Sequence, residues 1–166
     1  MTAPVRIRPI AEGDWADLTA LERAAYAPLG LSEDQQALAS RVRASPGTCF
    51  ALDADGRLGG YLLSLPYPRF RYPDLARGEQ VCHRSSNLHL HDLVVAQSLR
   101  RRGLATRLVR HLLATAAEGG YRHVSLVAVG GSDAFWSAHG FAPEAVPPTA
   151  YGPGAVYMSR PLHGTD

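Results

Sequence analysis

Two stretches of the 166-residue chain carry side chains whose types and spacing suit chemistry. The first is His89-Leu90-His91-Asp92. A neutral imidazole, with an ordinary pKa of about 6.5, accepts a proton readily near neutral pH. Residues two apart on a strand share a face, so strict alternation predicts His89 and His91 on one side and Asp92 on the other. The same pattern also suits two strand histidines hydrogen-bonded to neighbours, and a carboxylate that orients a loop or binds an ammonium. The second stretch is Arg100-Arg101-Arg102-Gly103-Leu104-Ala105. Between a strand and a helix, such a turn offers free backbone N–H groups and the positive end of a helix dipole to an anion. Gly103 permits close approach, Ala105 is nearly as small, and the guanidinium fork of arginine matches phosphate oxygens. An ordinary turn with a solvated basic patch has the same composition. The stretch is neither a Walker A loop nor GxGxxG, so nucleotide hydrolysis and dinucleotide redox chemistry lose support.

These residues need elements to hold them. Leu88–Val95 reads as a strand, Gln97–Arg102 as a polar turn, and Gly103–Glu118 as a helix with Leu104, Leu108, Leu112 and Leu113 on one side, ended by Gly119-Gly120. His123–Val129 is an apolar, β-branched strand. Ser132 or Asp133 starts a short helix through Trp136 to His139, and Ala155–Arg160 alternates as a last strand. Upstream, Val5–Ile7 reads as a strand, and Asp14 as the cap of a helix carrying Trp15, Leu18, Leu21 and Ala25. Tyr26–Leu31 is a turn, and Ser32-Glu33-Asp34-Gln35 reads as a capping box opening a helix to about Arg43. Thr48–Leu52 and Leu58–Leu65 form a hairpin about Asp53-Ala54-Asp55-Gly56. The irregular stretch Pro66–Ser86 has the length of a functional lid or of a disordered segment. Together these predict one α/β domain over residues 1–166, a mixed sheet with helices on its faces.

Composition narrows the function class. Apolar residues make up 46% and charged residues 19%, which excludes a disordered chain. Net charge is +2, too small to argue for nucleic acid, although all 17 basic residues are arginine. No apolar run approaches the roughly 20 residues of a membrane helix. Met1–Ile10 has no apolar leader core, so a cytoplasmic protein is expected. Cys49 and Cys82 have no metal or redox spacing, and no metal is expected.

Arg100–Ala105 matches the [Q/R]-x-x-G-x-[G/A] motif of the GNAT N-acetyltransferases. Leu90–Val95 resembles that family's fourth strand, and Phe135-Trp136-Ser137-Ala138-His139-Gly140-Phe141 resembles its Y-x-x-x-G-F helix end. The resemblance covers the chain in element order and is most specific from Leu88 to Phe141. It implies a mostly antiparallel, twisted sheet with splayed fourth and fifth strands, and acetyl-CoA as co-substrate. The pyrophosphate would sit on the amides of Arg101, Arg102, Gly103, Leu104, Ala105 and Thr106, with Arg100 nearby. The pantetheine arm would run along Leu93, Val94 and Val95, flanked by Val127 and Val129, with Trp136 beside it.

The pair His89 and His91 is similar to that of the arylalkylamine N-acetyltransferases, which implies a histidine or water-relayed base, with Asp92 a second candidate. The family's usual tyrosine acid is replaced by Trp136, whose indole N–H has no useful acidity. Tyr151 and Tyr157 are the candidate substitutes. The acceptor would meet Tyr26 and Leu29 under the turn between the first two helices, and Tyr67 and Phe70 from the long loop. The expected activity is acetyl transfer to a primary amine of a small molecule, with no nucleic-acid or membrane partner and a homodimer left open. A protein or peptide acetyltransferase and a CoA-binding sensor are the alternatives.

Overall fold

The strongest local signals become the centre of the molecule. The computed structural model describes residues 4–163; the first and last three residues of the expected domain lie outside them. In chain order the elements are β1 (Arg6–Pro9), α1 (Trp15–Tyr26), α2 (Gln35–Ala44), β2 (Phe50–Ala54), β3 (Arg57–Pro66), β4 (Asn87–Val95), α3 (Leu104–Glu118), β5 (His123–Ala128), α4 (Asp133–Ala138), β6 (Ala142–Pro143) and β7 (Val156–Pro161). Among the described residues the strands form one seven-stranded sheet in the order β1-β2-β3-β4-β5-β7-β6. Neighbours are antiparallel except β4 and β5, which run parallel. That parallel pair requires a crossover, and α3 supplies it.

The β2–β3 hairpin turns through Asp55 and Gly56, both at positive φ (55° and 77°), the backbone that two-residue hairpins demand. α3 lays Leu104, Leu108, Val109, Leu112 and Ala116 on one sheet face, against Phe50, Leu52, Leu62, Leu88, Leu90, Val124 and Leu126. α1 and α2 cover the other face, where Trp15, Leu18 and Leu38 meet Cys49, Tyr61, Leu63 and Val94. Apolar burial on this scale is the main favourable term of the fold.

Two helix starts differ from the expected ones. The cap of α2 is Asp34, whose side chain accepts from Ala37 N at 2.8 Å; Ser32 instead donates to Glu22 at 2.5 Å. Asp14 makes no cap bond into α1; it accepts from Ala11 N and is clamped by the Arg8 guanidinium at 2.7 and 2.8 Å. Ser32 is thus taken by a longer-range partner, and Asp14 divides its carboxylate between Arg8 and the preceding backbone rather than the first turn of α1.

Candidate active site

β4 organises the site through two irregularities. The first is a bulge. Leu63 pairs with Asp92, but Ser64 pairs with Leu90, so His91 is an extra residue in the ladder. An inserted residue puts the strand's alternation out of phase. Leu88 and Leu90 face α3, and so do Leu93 and Val95 beyond the bulge. Asp92 is thereby turned to the α1/α2 face, the side His91 also faces, rather than away from the histidines as alternation predicts. The second is a splay. β4 and β5 pair from Asn87–His123 only to Leu90–Leu126. Beyond that point a groove of about 560 Å³ opens between them, lined by Leu93, Val94 and Val95 on one side and Val127 and Val129 on the other. Tyr26, Leu29, Phe135 and Trp136 complete its walls.

One end of the groove reaches the start of α3. Gly103 is the N-cap at φ +74°, no side chain caps the helix among the described residues, and a Cβ at Gly103 would meet open space. Arg101 is also at positive φ (67°). The first helical amides, Leu104 to Thr106, therefore have no partner within the helix and point at an anion-sized recess. That recess, about 200 Å³, is lined by Arg100, Arg101, Gly103, Leu104, Ala105, Thr106 and Phe135. Arg102 lines neither cavity; it pairs with Asp55 at 3.1 Å on the surface. Phe135, which lines both, entered the sequence reading only as part of the helix-end motif.

The other end narrows to a pocket of about 40 Å³ lined by Glu22, Tyr26, Leu31, Glu33, Leu75, His91, Asp92, Val127, Val129 and Tyr151. His91 and Asp92 line both this pocket and the groove, at the splay point. His91 Nε2 lies 2.5 Å from Glu33 Oε1, and its Nδ1 is buried with no hydrogen-bond partner among the described residues. Asp92 Oδ2 accepts from Tyr61 Oη at 2.6 Å, while Oδ1 is likewise buried and unpartnered. Burial is the main reason the Asp92 carboxyl is pushed up to about 6, against the pull of His91 and of the Tyr26 and Tyr61 hydroxyls. Burial also raises both tyrosines well above their usual range, and the Asp92 charge adds to it, so they remain protonated donors.

Glu33 is fixed from several sides. Burial alone would raise its carboxyl, but His91 and then Arg41 outweigh that and hold it below the usual range. Arg41 Nη2 donates to Glu33 Oε2 at 2.7 Å and to the carbonyls of Asp74 and Arg77 at 3.0 and 3.1 Å. Arg41 Nη1 donates to Glu79. Glu22 holds the backbone leading to Glu33, accepting from Glu33 N at 2.8 Å. Glu33 entered the sequence reading only as part of the Ser32–Gln35 helix start; Glu22, Arg41 and Leu75 escaped it, with no local signal to mark them.

The remaining expected residues sit elsewhere. His89 lines neither cavity: it is buried, its Nδ1 is 2.8 Å from Ser125 Oγ, and its ring stacks on Tyr157 at 6.3 Å. Burial pushes its imidazole well below the usual range. Tyr157 is fully buried and accepts from Phe70 N at 2.8 Å, away from both cavities. Tyr151 lines the small pocket, but its hydroxyl donates to the carbonyl of Pro73 at 2.6 Å. Tyr67 packs on His83, and Phe70 is exposed beside Arg69; neither lines a cavity, and Leu75 is what the 66–86 loop contributes. Among the described residues no helix is long and apolar enough to cross a membrane.

Known proteins share this architecture. The chain is similar to Ard1 from Thermoplasma volcanium, with 16% identity and a TM-score of 0.77 over 97% of this chain and 99% of that one. It is similar to the ribosomal-protein-S18-alanine N-acetyltransferase from Escherichia coli, with 16% identity and a TM-score of 0.69 over 98% and 97%. It also resembles N-acetylglutamate synthase from Neisseria gonorrhoeae, solved with coenzyme A and N-acetyl-glutamate, with 19% identity and a TM-score of 0.73 over 97% of this chain and 36% of that one. Curated protein sequences gave no match. The model of the Acetyltransferase (GNAT) family matches residues 15–141, spanning the splayed strands, the bare helix start and the Trp136–Phe141 helix end. The chain therefore belongs to the GNAT acetyltransferase family.

Proposed function

We propose that this protein transfers an acetyl group from acetyl-CoA to a primary amine of a small molecule, with His91 as the base. The observation that carries the reading is the continuous path from the bare start of α3, along the β4/β5 groove, to the one place where His91 and Asp92 meet. The pyrophosphate would rest on the amides of Gly103 to Thr106 with Arg100 and Arg101 alongside. The pantetheine arm would add to the free edge of Leu93 and Val95, as an extended segment adds to a strand. Its thioester would then lie near the splay point.

An amine arrives mostly as an ammonium, which cannot attack a carbonyl. Asp92, with one unpartnered oxygen, suits hydrogen bonding to that ammonium. His91 takes one proton, directly or through water, and the freed lone pair attacks the thioester carbon. The C–N bond forms, the C–S bond breaks, and the second amine proton passes through water to the departing thiolate as the amide is made, leaving free CoA thiol. A thiolate with a pKa of about 8.5 departs without an obligatory acid, which accommodates Trp136 at the usual tyrosine position. His89, Tyr151 and Tyr157 support the wall around the reaction rather than take part in it.

Pocket size favours a small acceptor. The 66–86 loop is tied down through Asp74, Arg77 and Glu79 on Arg41 and through Pro73 on Tyr151, so it narrows the space an extended peptide would need. The test is thiol release from acetyl-CoA against arylalkylamines, polyamines, amino acids, aminoglycosides and peptides. Acceleration by a small amine is expected. Acceleration by peptides alone would overturn the small-molecule reading, and tight acetyl-CoA binding with no accelerating acceptor would favour a sensor.

A further inference from the structure

We infer that Glu33 is a positioning residue that sets the tautomer of His91, and that Arg41 makes this setting depend on a carboxylate in particular. This rests on the proposed role of His91 as the base.

A neutral imidazole carries one N–H, and the hydrogen bond at one ring nitrogen decides which nitrogen keeps it. Glu33 is ionised and only accepts, so His91 Nε2, 2.5 Å away, must be the donor. The lone pair is then confined to Nδ1, the atom left buried and unpartnered beside the groove and the pocket. When Nδ1 takes a proton from the acceptor amine, the N–H bond of the amine breaks and an Nδ1–H bond forms. The imidazolium so made remains bonded to Glu33 through Nε2.

The surroundings leave this assignment to Glu33. From α1, Glu22 and Tyr26 face the same pocket, but Glu22 is engaged with Ser32 and the Glu33 amide. From the strand, Asp92 is bonded to Tyr61, and His89 to Ser125. Tyr151 donates to Pro73. Arg41 reaches only the far oxygen of Glu33.

Arg41 turns the geometry into a sharp test. It has donors and no acceptor, and it is fully buried. In Glu33→Gln it would claim the amide oxygen and turn the NH₂ toward His91. Nε2 would then have to accept, moving the ring proton to Nδ1 and removing the lone pair from the site. A near-isosteric change would thus invert the base.

The experiment is a long-range proton–nitrogen correlation spectrum of protein labelled with ring-¹⁵N histidine, with His91 identified by its loss in His91→Gln. The wild type should show the Nε2–H tautomer and Glu33→Gln the Nδ1–H tautomer. With the best acceptor from the amine panel, Glu33→Gln should lose about 10²-fold in kcat, with the acetyl-CoA and acceptor KM values within about threefold. A wild-type Nδ1–H tautomer overturns the inference, even if Glu33→Gln fails to fold. So does a folded Glu33→Gln protein with kcat within about threefold of wild type. Absence of turnover with every acceptor defeats the proposed function, while the tautomer spectra still decide the role of Glu33.

Discussion

The two faces of the sheet are built on opposite rules. Under α3 the buried side chains are apolar throughout, from Phe50 to Met158, and interlock with Leu104, Leu108 and Leu112. Under α1 and α2 the apolar cluster is smaller, and the space toward β4 is filled by Glu22, Arg41, His89 and Asp92, all buried, with Glu33 and His91 between them. Buried charges are costly unless paired, and here almost every polar atom is paired. Among the described residues the exceptions are Arg41 Nε, Asn87 Oδ1, His91 Nδ1 and Asp92 Oδ1, and the last two belong to residues that line both the groove and the small pocket. One face is packed for cohesion and the other holds the residues proposed to react, so damage to each is expected to do little harm to its opposite.

His91→Ala should break the reactive face alone. kcat should fall roughly 10²- to 10⁴-fold, while acetyl-CoA affinity by calorimetry stays within about threefold; a small loss in kcat would move the base elsewhere. Leu108→Ala is the mirror experiment. It should destabilise the fold by about 2–5 kcal/mol in urea titrations, with the remaining folded enzyme keeping its kcat. A collapse in kcat at unchanged stability would show that the faces are coupled.

Asp92→Asn sharpens the comparison, because it should stabilise. The folded carboxyl titrates at about 6, above its unfolded value. Its contribution is therefore fully present below about pH 4 and lost as pH rises through about 6. Relative to wild type, Asp92→Asn should gain about 1–3 kcal/mol at pH 7 and little at pH 4. Equal stability at both pH values would contradict the burial argument. The smallest expected effects are at the phosphate end. Arg100→Ala should weaken acetyl-CoA binding by about three- to tenfold, more at low salt. Arg102→Ala, engaged with Asp55 on the surface, should change it by less than about twofold.

The sequence disclosed what local chemistry dictates. The apolar spacing of α3, the Asp55-Gly56 turn and the glycine before Leu104 each act within a few residues, and each element formed where expected. The GNAT motifs then supplied the topology, including the splay after Leu90 and Leu126. What remained hidden was set by distant partners. Glu33 meets His91 across 58 positions, and Arg41 meets Glu79 across 38. Asp34 and Asp14 were both legible as acidic residues at helix starts, yet only Asp34 spends its carboxylate there, because Arg8 captures Asp14. The histidine pair shows the limit most clearly. Two residues of the same type, two positions apart, divide into a satisfied wall residue and a cavity residue, and nothing in the strand's own sequence separates them.

The extra residue in β4 acts as a phase shifter. Substituting the side chain at position 91 leaves every later residue on its side of the sheet. Deleting one residue there and healing the ladder would rotate all of them by half a period. Asp92 and Val94 would be driven beneath α3, and Leu93 and Val95 would be turned toward α1 and α2. The Asp92 carboxylate would then be sealed among apolar side chains, and the edge proposed as the cofactor's track would carry different side chains. Insertions and deletions in this strand should therefore be tolerated far less than replacements, and its length is as much a part of the candidate site as its histidine.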